Sequence, residues 1–299
     1  MRDYVEHLMR PCTLRGLTAA LVLVALPAGA ATIDPASPTT GWTEISYPLL
    51  LPDYSDDQRT GISEADIVGD AGNPAFYTAF DDAGTPSTTD GNIAFRVRIG
   101  ADKNPSGFSQ FMGVGLDADL DGAIDLFLAV ENSGNPDRVA IYDTGTGANT
   151  SPDTTSIDSS YLFSYSLSVA NYDFQAVTAT SDPTATSFDV DGDGDTDHFL
   201  TWVVPFADVL TALAAQSITG IDEDSTLRYV LGSSTQSNSL NQDLGGPNGG
   251  TNSTDTWEVL GAISNPISAS GTPVSTPEPD TAALLSLGLV ALAVHRRKR

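Results

Sequence analysis

Ile93, Phe95, Val97 and Ile99 alternate with Ala94, Arg96 and Arg98, the period-two pattern of a strand with one buried face. Comparable runs over 111–116, 125–130, 139–142, 161–169, 174–180, 199–204, 227–231 and 256–260 predict eight further strands. They are rich in β-branched and aromatic residues. Clusters of Gly, Asn, Asp, Ser and Thr separate them at the spacing of an all-β sandwich. A period near 3.6 occurs once in the body, where Phe206, Val209, Leu210 and Leu213 share a stripe with Pro205 at its start and Gly220 beyond its end. That segment predicts one short helix. The pattern therefore predicts a jelly-roll-like β-sandwich over 31–264, with the strands falling between about 38 and 264. The Gly-, Thr- and Ser-rich stretch 144–160 offers a division near Ser151. One domain is preferred, because each half would hold too few strands to close a core.

Two longer apolar runs lie at the ends. Arg2, Arg10 and Arg15 precede the ten-residue run LTAALVLVAL at 17–26, and Ala28-Gly29-Ala30 follows it. This order predicts a cleaved secretory signal over 1–30. The single cysteine, Cys12, precedes the apolar run, so the mature body holds no disulfide and no thiol. At the other end, a Ser-, Pro- and Thr-rich segment, 265–276, reads as an extended linker. Pro277-Glu278-Pro279 and Asp280 follow, then the apolar run 281–294, then His295, Arg296, Arg297, Lys298 and Arg299. Fourteen apolar residues rise about 21 Å as a helix. Snorkelling arginines and local thinning would fit that length to a bilayer, with the basic cluster cytoplasmic.

This three-part tail resembles the PEP-CTERM sorting signal of bacterial surface proteins. The resemblance covers only the C-terminal segment. It implies recognition and cutting by an exosortase during export, and an inner-membrane-anchored precursor that the C-terminal helix holds transiently. Release to the cell surface or extracellular matrix would follow, in a producer with an outer membrane and exopolysaccharide or biofilm. The partners so implied are exosortase, the secretion machinery and exopolysaccharide.

Charge narrows the picture further. The chain has 13 basic and 39 acidic residues, a net charge of −26. Seven basic and four acidic residues lie in the two end segments, leaving six basic and 35 acidic over 31–276, a net of −29. Such a body lacks the basic face that a nucleic-acid binder needs. It also repels anionic lipid or polysaccharide unless a cation bridges, and it suits solubility and cation binding.

Much of that charge sits in a repeat. DADLDGAID (117–125) and DVDGDGDTD (189–197) both read D-x-D-x-D-G-x-x-D, and each runs on into x-Phe-Leu. In such a loop carboxylates at positions 1, 3 and 5 converge because glycine at position 6 allows a sharp turn. The carbonyl at 7 and the carboxylate at 9 complete an oxygen cage. The candidate ligands are Asp117, Asp119, Asp121, Ala123 and Asp125 in the first loop, and Asp189, Asp191, Asp193, Asp195 and Asp197 in the second. Ala123 and Asp195 would each offer the backbone carbonyl. The cation expected at each of the two sites is calcium, which would relieve the mutual repulsion of clustered carboxylates. Position 12, a bidentate Glu in an EF-hand, is Leu128 or Leu200 here, and no amphipathic helix precedes either loop. The loops resemble the calcium loops of thrombospondin type 3 repeats and of integrin-like β-propellers, over about nine residues each. They are read as calcium-clamped connections between strands. Asp53, Asp56 and Asp57, and Asp222, Glu223 and Asp224, lack the spacing and the glycine, and are read as solvated loop charges.

Catalytic chemistry has little to stand on. The only histidine of the body is His198, read as a surface strand residue, and neither a nucleophile elbow nor a phosphate-binding glycine loop is present. A glycosidase needs only two carboxylates, but nothing singles out a pair. No catalytic residue is assigned. Trp42, Trp202 and Trp257, with several tyrosines, either fill the core or offer a sugar-stacking face. The expectation is a non-enzymatic, exported, calcium-stabilised structural or adhesive protein. A carbohydrate-binding module is the alternative, with a glycan hydrolase behind it.

Overall fold

The structure is a computed structural model that describes residues 33–48, 57–103, 107–134, 136–157, 161–237, 239–247 and 251–272. The expected signal at 1–30, the apolar segment 281–294 and the sorting motif 277–299 lie outside the described residues. Among the described residues no helix is long and apolar enough to cross a membrane.

The alternating runs pair into two antiparallel sheets. One has the order β1 (Thr43–Glu44), β2 (Phe76–Asp81), β3 (Asn92–Ile99), β9 (His198–Pro205), β8 (Tyr172–Ala176). The other runs β11 (Asp243–Leu244), β10 (Thr226–Ser234), β4 (Phe111–Asp117), β5 (Leu126–Glu131), β6 (Arg138–Asp143), β7 (Tyr161–Ser166), with β12 (Ile267–Ser268) on β10. Ile93, Phe95, Val97 and Ile99 face inward, as their spacing requires, and pack with Leu126, Leu128, Leu200 and Trp202 between the sheets. The expected β-sandwich is thus the observed architecture.

Each sheet is also covered on its outside. Phe127 and Ala129 of β5 point away from the main core into a second one, built with Ile124, Tyr142 and Trp257. A central strand buried on both faces reads as a continuous apolar run, which is why LFLAV at 126–130 lacks alternation. The repeated x-Phe-Leu follows from this layering: Leu128 and Leu200 enter the main core, whereas Phe127 and Phe199 lie on the outer faces.

The predicted helix is α1 (Phe206–Ala215), which buries Phe206, Val209, Ala212 and Leu213, while Leu210 is half-buried. The expected strand at 256–260 is instead the helical turn α2 (Trp257–Leu260). Thr256 caps it by accepting Val259 N–H at 3.3 Å, and Gly261 ends it in the left-handed region at φ 75°. The apolar run misled because Trp257 buries against Phe127 and donates from Nε1 to the Ala148 carbonyl at 2.8 Å, without joining a ladder. β2 was not among the expected strands; its burial pattern departs from strict alternation. The strand expected to Val169 ends at Ser166, where Ser168 and Asn171 close a turn and leave Val169 91% exposed. The expected linker begins later than 265, because Ile267–Ser268 pairs with β10 and Ala269 is fully buried.

Candidate metal centre

The first acidic loop closes the β4–β5 hairpin: Leu116 pairs with Leu126, and Asp125 N–H donates to the Leu116 carbonyl at 2.7 Å. The second ends the long β8–β9 connection, where Val177 N–H donates to the Asp197 carbonyl at 2.8 Å. Both loops therefore join neighbouring antiparallel strands. They sit at opposite ends of the sandwich. The second loop enters β9, and α1 leaves the other end of β9. Just beyond α1, Gln216 Nε2 donates to the Asp125 carbonyl of the first loop at 2.7 Å.

Internally the loops share one hydrogen-bond frame. The glycine at position 6 donates to position 1 in both, Gly122 to Asp117 Oδ2 and Gly194 to Asp189 Oδ2, each at 3.2 Å. Position 5 donates to position 3, Asp121 to Asp119 Oδ1 at 3.2 Å and Asp193 to Asp191 Oδ1 at 3.3 Å. Position 7 donates to position 5, Ala123 to Asp121 at 2.8 Å and Asp195 to Asp193 at 2.7 Å. Position 2 donates to position 9, Ala118 to Asp125 at 2.7 Å and Val190 to Asp197 at 3.2 Å. Both glycines at position 6 have positive φ, 89° at Gly122 and 97° at Gly194, as the sharp turn demands.

This frame brings positions 1, 3 and 9 together. Oxygens of Asp117, Asp119 and Asp125 lie within 4.8 Å of one another, and so do those of Asp189, Asp191 and Asp197. Asp121 and Asp193 are exposed, occupied by their own turn, and outside these groups. Ala123 is half-buried and Asp195 exposed. Position 12 contributes nothing, because Leu128 and Leu200 are fully buried in the main core.

Two arginines complete the electrostatics. Arg228 Nη2 lies 2.6 Å from Asp117 Oδ2. Arg98, with no side-chain exposure, reaches Asp197 Oδ2 at 2.9 Å and Asp182 Oδ2 at 3.1 Å. Burial, reinforced by the charges of Asp119, Asp117 and Asp121, pushes Asp125 up to about 6. Burial, reinforced by Asp189, Asp193 and Asp197, pushes Asp191 up to about 7. Asp117 and Asp197 are also raised by burial, against the opposing pull of their arginines. Asp117 Oδ1 is buried and accepts no hydrogen bond among the described residues. A hard cation held by oxygen donors fits such an orphaned carboxylate oxygen inside a converging group.

Sequence reasoning missed the two arginines, although they are among only six basic residues of the body. It also took Asp57 for a solvated loop charge. Asp57 instead converges with Asp66 and Asp243, with oxygens within 4.8 Å. Asp243 is fully buried, accepts from Ile67 and Leu244 N–H at 2.7 Å each, and is raised well above the usual carboxylate range by burial and then by Asp57. No local motif could reveal a group drawn from three segments up to 186 residues apart. His198 is half-buried, stacked on Phe174 at 4.9 Å, with Nδ1 2.9 Å from the Thr196 carbonyl.

The PEP-CTERM protein-sorting motif matches residues 275–299. The tail thereby marks the chain as an exported, exosortase-sorted surface protein whose precursor is membrane-anchored. No curated protein and no solved structure matches the chain.

Proposed function

We propose that this protein is a non-enzymatic structural or adhesive component of the bacterial envelope or extracellular matrix, clamped by two calcium ions, one per acidic loop. The observation that carries the reading is the shared frame, which converges three carboxylates at each end of the sandwich. Asp117, Asp119 and Asp125 would hold one ion and Asp189, Asp191 and Asp197 the other. Asp121, Asp193 and the carbonyls of Ala123 and Asp195 remain the further donors that the motif offers. Both loops hold strand ends in register, so the ions would fix hairpin geometry and serve no chemistry. Extracellular modules bind calcium with Kd of about 10⁻⁴–10⁻³ M, which suits a protein that meets calcium only after export.

Isothermal titration of the full chain with calcium tests this. Two binding events with millimolar or tighter Kd, and poor competition by magnesium, are expected. Absence of heat at several millimolar calcium, with no melting shift on chelation, would leave the loops as ordinary acidic turns. Export is checked separately by intact mass from the producing cell, where the mature chain should begin near Ala31 and end near Pro277–Pro279. Recovery of the Arg299 end on surface-exposed material would refute processing.

A further inference from the structure

The outer face of the five-stranded sheet carries a pocket of about 230 Å³. Trp42, Tyr77 and Phe199 supply its rings, and Arg96, Asp182 and Thr184 its polar groups. Tyr77 and Phe199 project outward from β2 and β9 and meet edge to face at 6.3 Å. Trp42 belongs to the segment laid across this face and is anchored by Nε1–H donating to the Ser37 carbonyl at 3.1 Å. By contrast, Trp202 and Trp257 are fully buried in the cores. Of the three tryptophans, only Trp42 is thus available to a ligand.

The polar groups are held in place. The Arg96 guanidinium lies between Trp42 and Phe199, at 4.3 and 5.0 Å from their ring centres. Its Nε donates to Thr201 Oγ1 at 3.1 Å, and its Nη2 to the carbonyls of Pro35 and Ser37 at 2.8 and 3.1 Å. Asp182 Oδ1 accepts from Thr184 N–H and Oγ1–H at 3.0 and 2.8 Å, and Oδ2 from Arg98. A pocket with fixed donors and acceptors loses little conformational freedom on binding.

We infer that this pocket binds one pyranose ring of an uncharged glycan. The apolar C–H face of a pyranose suits the half-buried rings of Trp42 and Tyr77 where they line the pocket. Its hydroxyls both donate and accept, which matches a guanidinium beside a carboxylate and a threonine hydroxyl. The volume is below the roughly 300 Å³ at which drug-sized sites begin, enough for a single ring and too small for a buried chain. Charge selects against acidic sugars: Asp173, Asp182 and Asp34 all lie close enough to act on Arg96, so the pocket offers no net positive field. The pocket borders the second acidic loop, because Arg98 bridges Asp182 of the pocket and Asp197 of the loop, so calcium is held constant in the test.

The test is saturation-transfer NMR on the full chain, with calcium constant, using methyl glucoside, methyl galactoside, methyl mannoside and glucuronate. At least one neutral glycoside should bind with Kd of about 1 mM, the range that about 0.3 kcal/mol per ligand atom allows for one ring. Trp42→Ala should weaken it about tenfold or more, the loss expected when a stacked ring worth about 1.4 kcal/mol is removed. Tyr77→Ala should do the same, with Val169→Ala, exposed and outside the pocket lining, as the control that leaves binding unchanged. An unshifted melting curve would show that each variant is folded. If Trp42→Ala unfolds, protection of Trp42 fluorescence from acrylamide quenching by the glycoside supplies the same answer. No binding by any neutral glycoside, binding of glucuronate alone, or binding indifferent to Trp42 and Tyr77 would each overturn the inference.

Discussion

The loops at 117–125 and 189–197 share four hydrogen-bond pairings and differ in what surrounds them. In the first, a partly exposed arginine, Arg228, grips position 1. In the second, a fully buried arginine, Arg98, grips position 9 and divides its charge with Asp182 outside the loop. The second loop also carries a fifth aspartate, Asp195, where the first has Ala123. A loop motif therefore specifies its own turn, while the sheet behind it specifies how much negative charge is left for a cation. On that account the second loop should be the tighter of the two proposed calcium sites.

Calcium removal should have the largest effect. At about 100 times Kd each ion adds about 2.7 kcal/mol, a large part of a typical total of about 5–15 kcal/mol. Chelation should lower the melting temperature, and added calcium should restore it. Asp191→Asn should abolish the tighter step in calorimetry and Asp119→Asn the weaker one. The reverse order would break the comparison.

Next come the arginines. Arg98→Met leaves the buried Asp197 without its ion-pair partner, and should destabilise by about 3–5 kcal/mol in urea unfolding. Arg228→Met, at the more exposed pair, should have the smaller effect. Equal losses would mean that the two loops are backed alike.

Acidity separates the loops more gently. In chelated protein the folded state binds protons more tightly than the unfolded chain at Asp191, at about 7, and at Asp125, at about 6. For acids so raised, stability is greatest below the unfolded pKa near 3.9 and falls as pH rises through the folded value. Metal-free protein should therefore lose stability between about pH 4 and pH 7 from these two groups. Asp191→Asn should remove the upper part of that slope and Asp125→Asn the lower part. Saturating calcium should flatten both.

The smallest effect concerns position 4. Leu120 and Gly192 both have left-handed backbone, at φ 64° and 75°. A side chain there costs about 1–2 kcal/mol. Gly192→Leu should destabilise by about that amount, and Leu120→Gly should stabilise by less than about 1 kcal/mol, since glycine has more freedom to lose on folding. No difference between the two reciprocal changes in urea unfolding would show that the loops do not share a backbone.

Much of this molecule was written locally. Alternation at 93–99 set which residues face the core, because a strand's period is two whatever its neighbours. The stripe at 206–213 set α1, since a period near 3.6 after a proline is legible in the segment itself. Glycine at positions 122 and 194 set the loop turns for the same reason. Other features depended on partners far along the chain. The run at 256–260 became a helical turn because Trp257 found Phe127 and Ala148. Residues 267–269 left the linker to pair with β10. The tertiary structure also decided that Asp121 and Asp193 serve their turns while positions 1, 3 and 9 converge, and that Arg98 and Arg228 stand behind them. It brought Asp57 to Asp66 and Asp243, and left Trp42 beside Tyr77 while burying Trp202 and Trp257. Sequence determines what neighbouring residues can satisfy among themselves; buried charges and rings are matched between strands and loops distant in sequence, and only the paired and packed sheets bring those partners within reach.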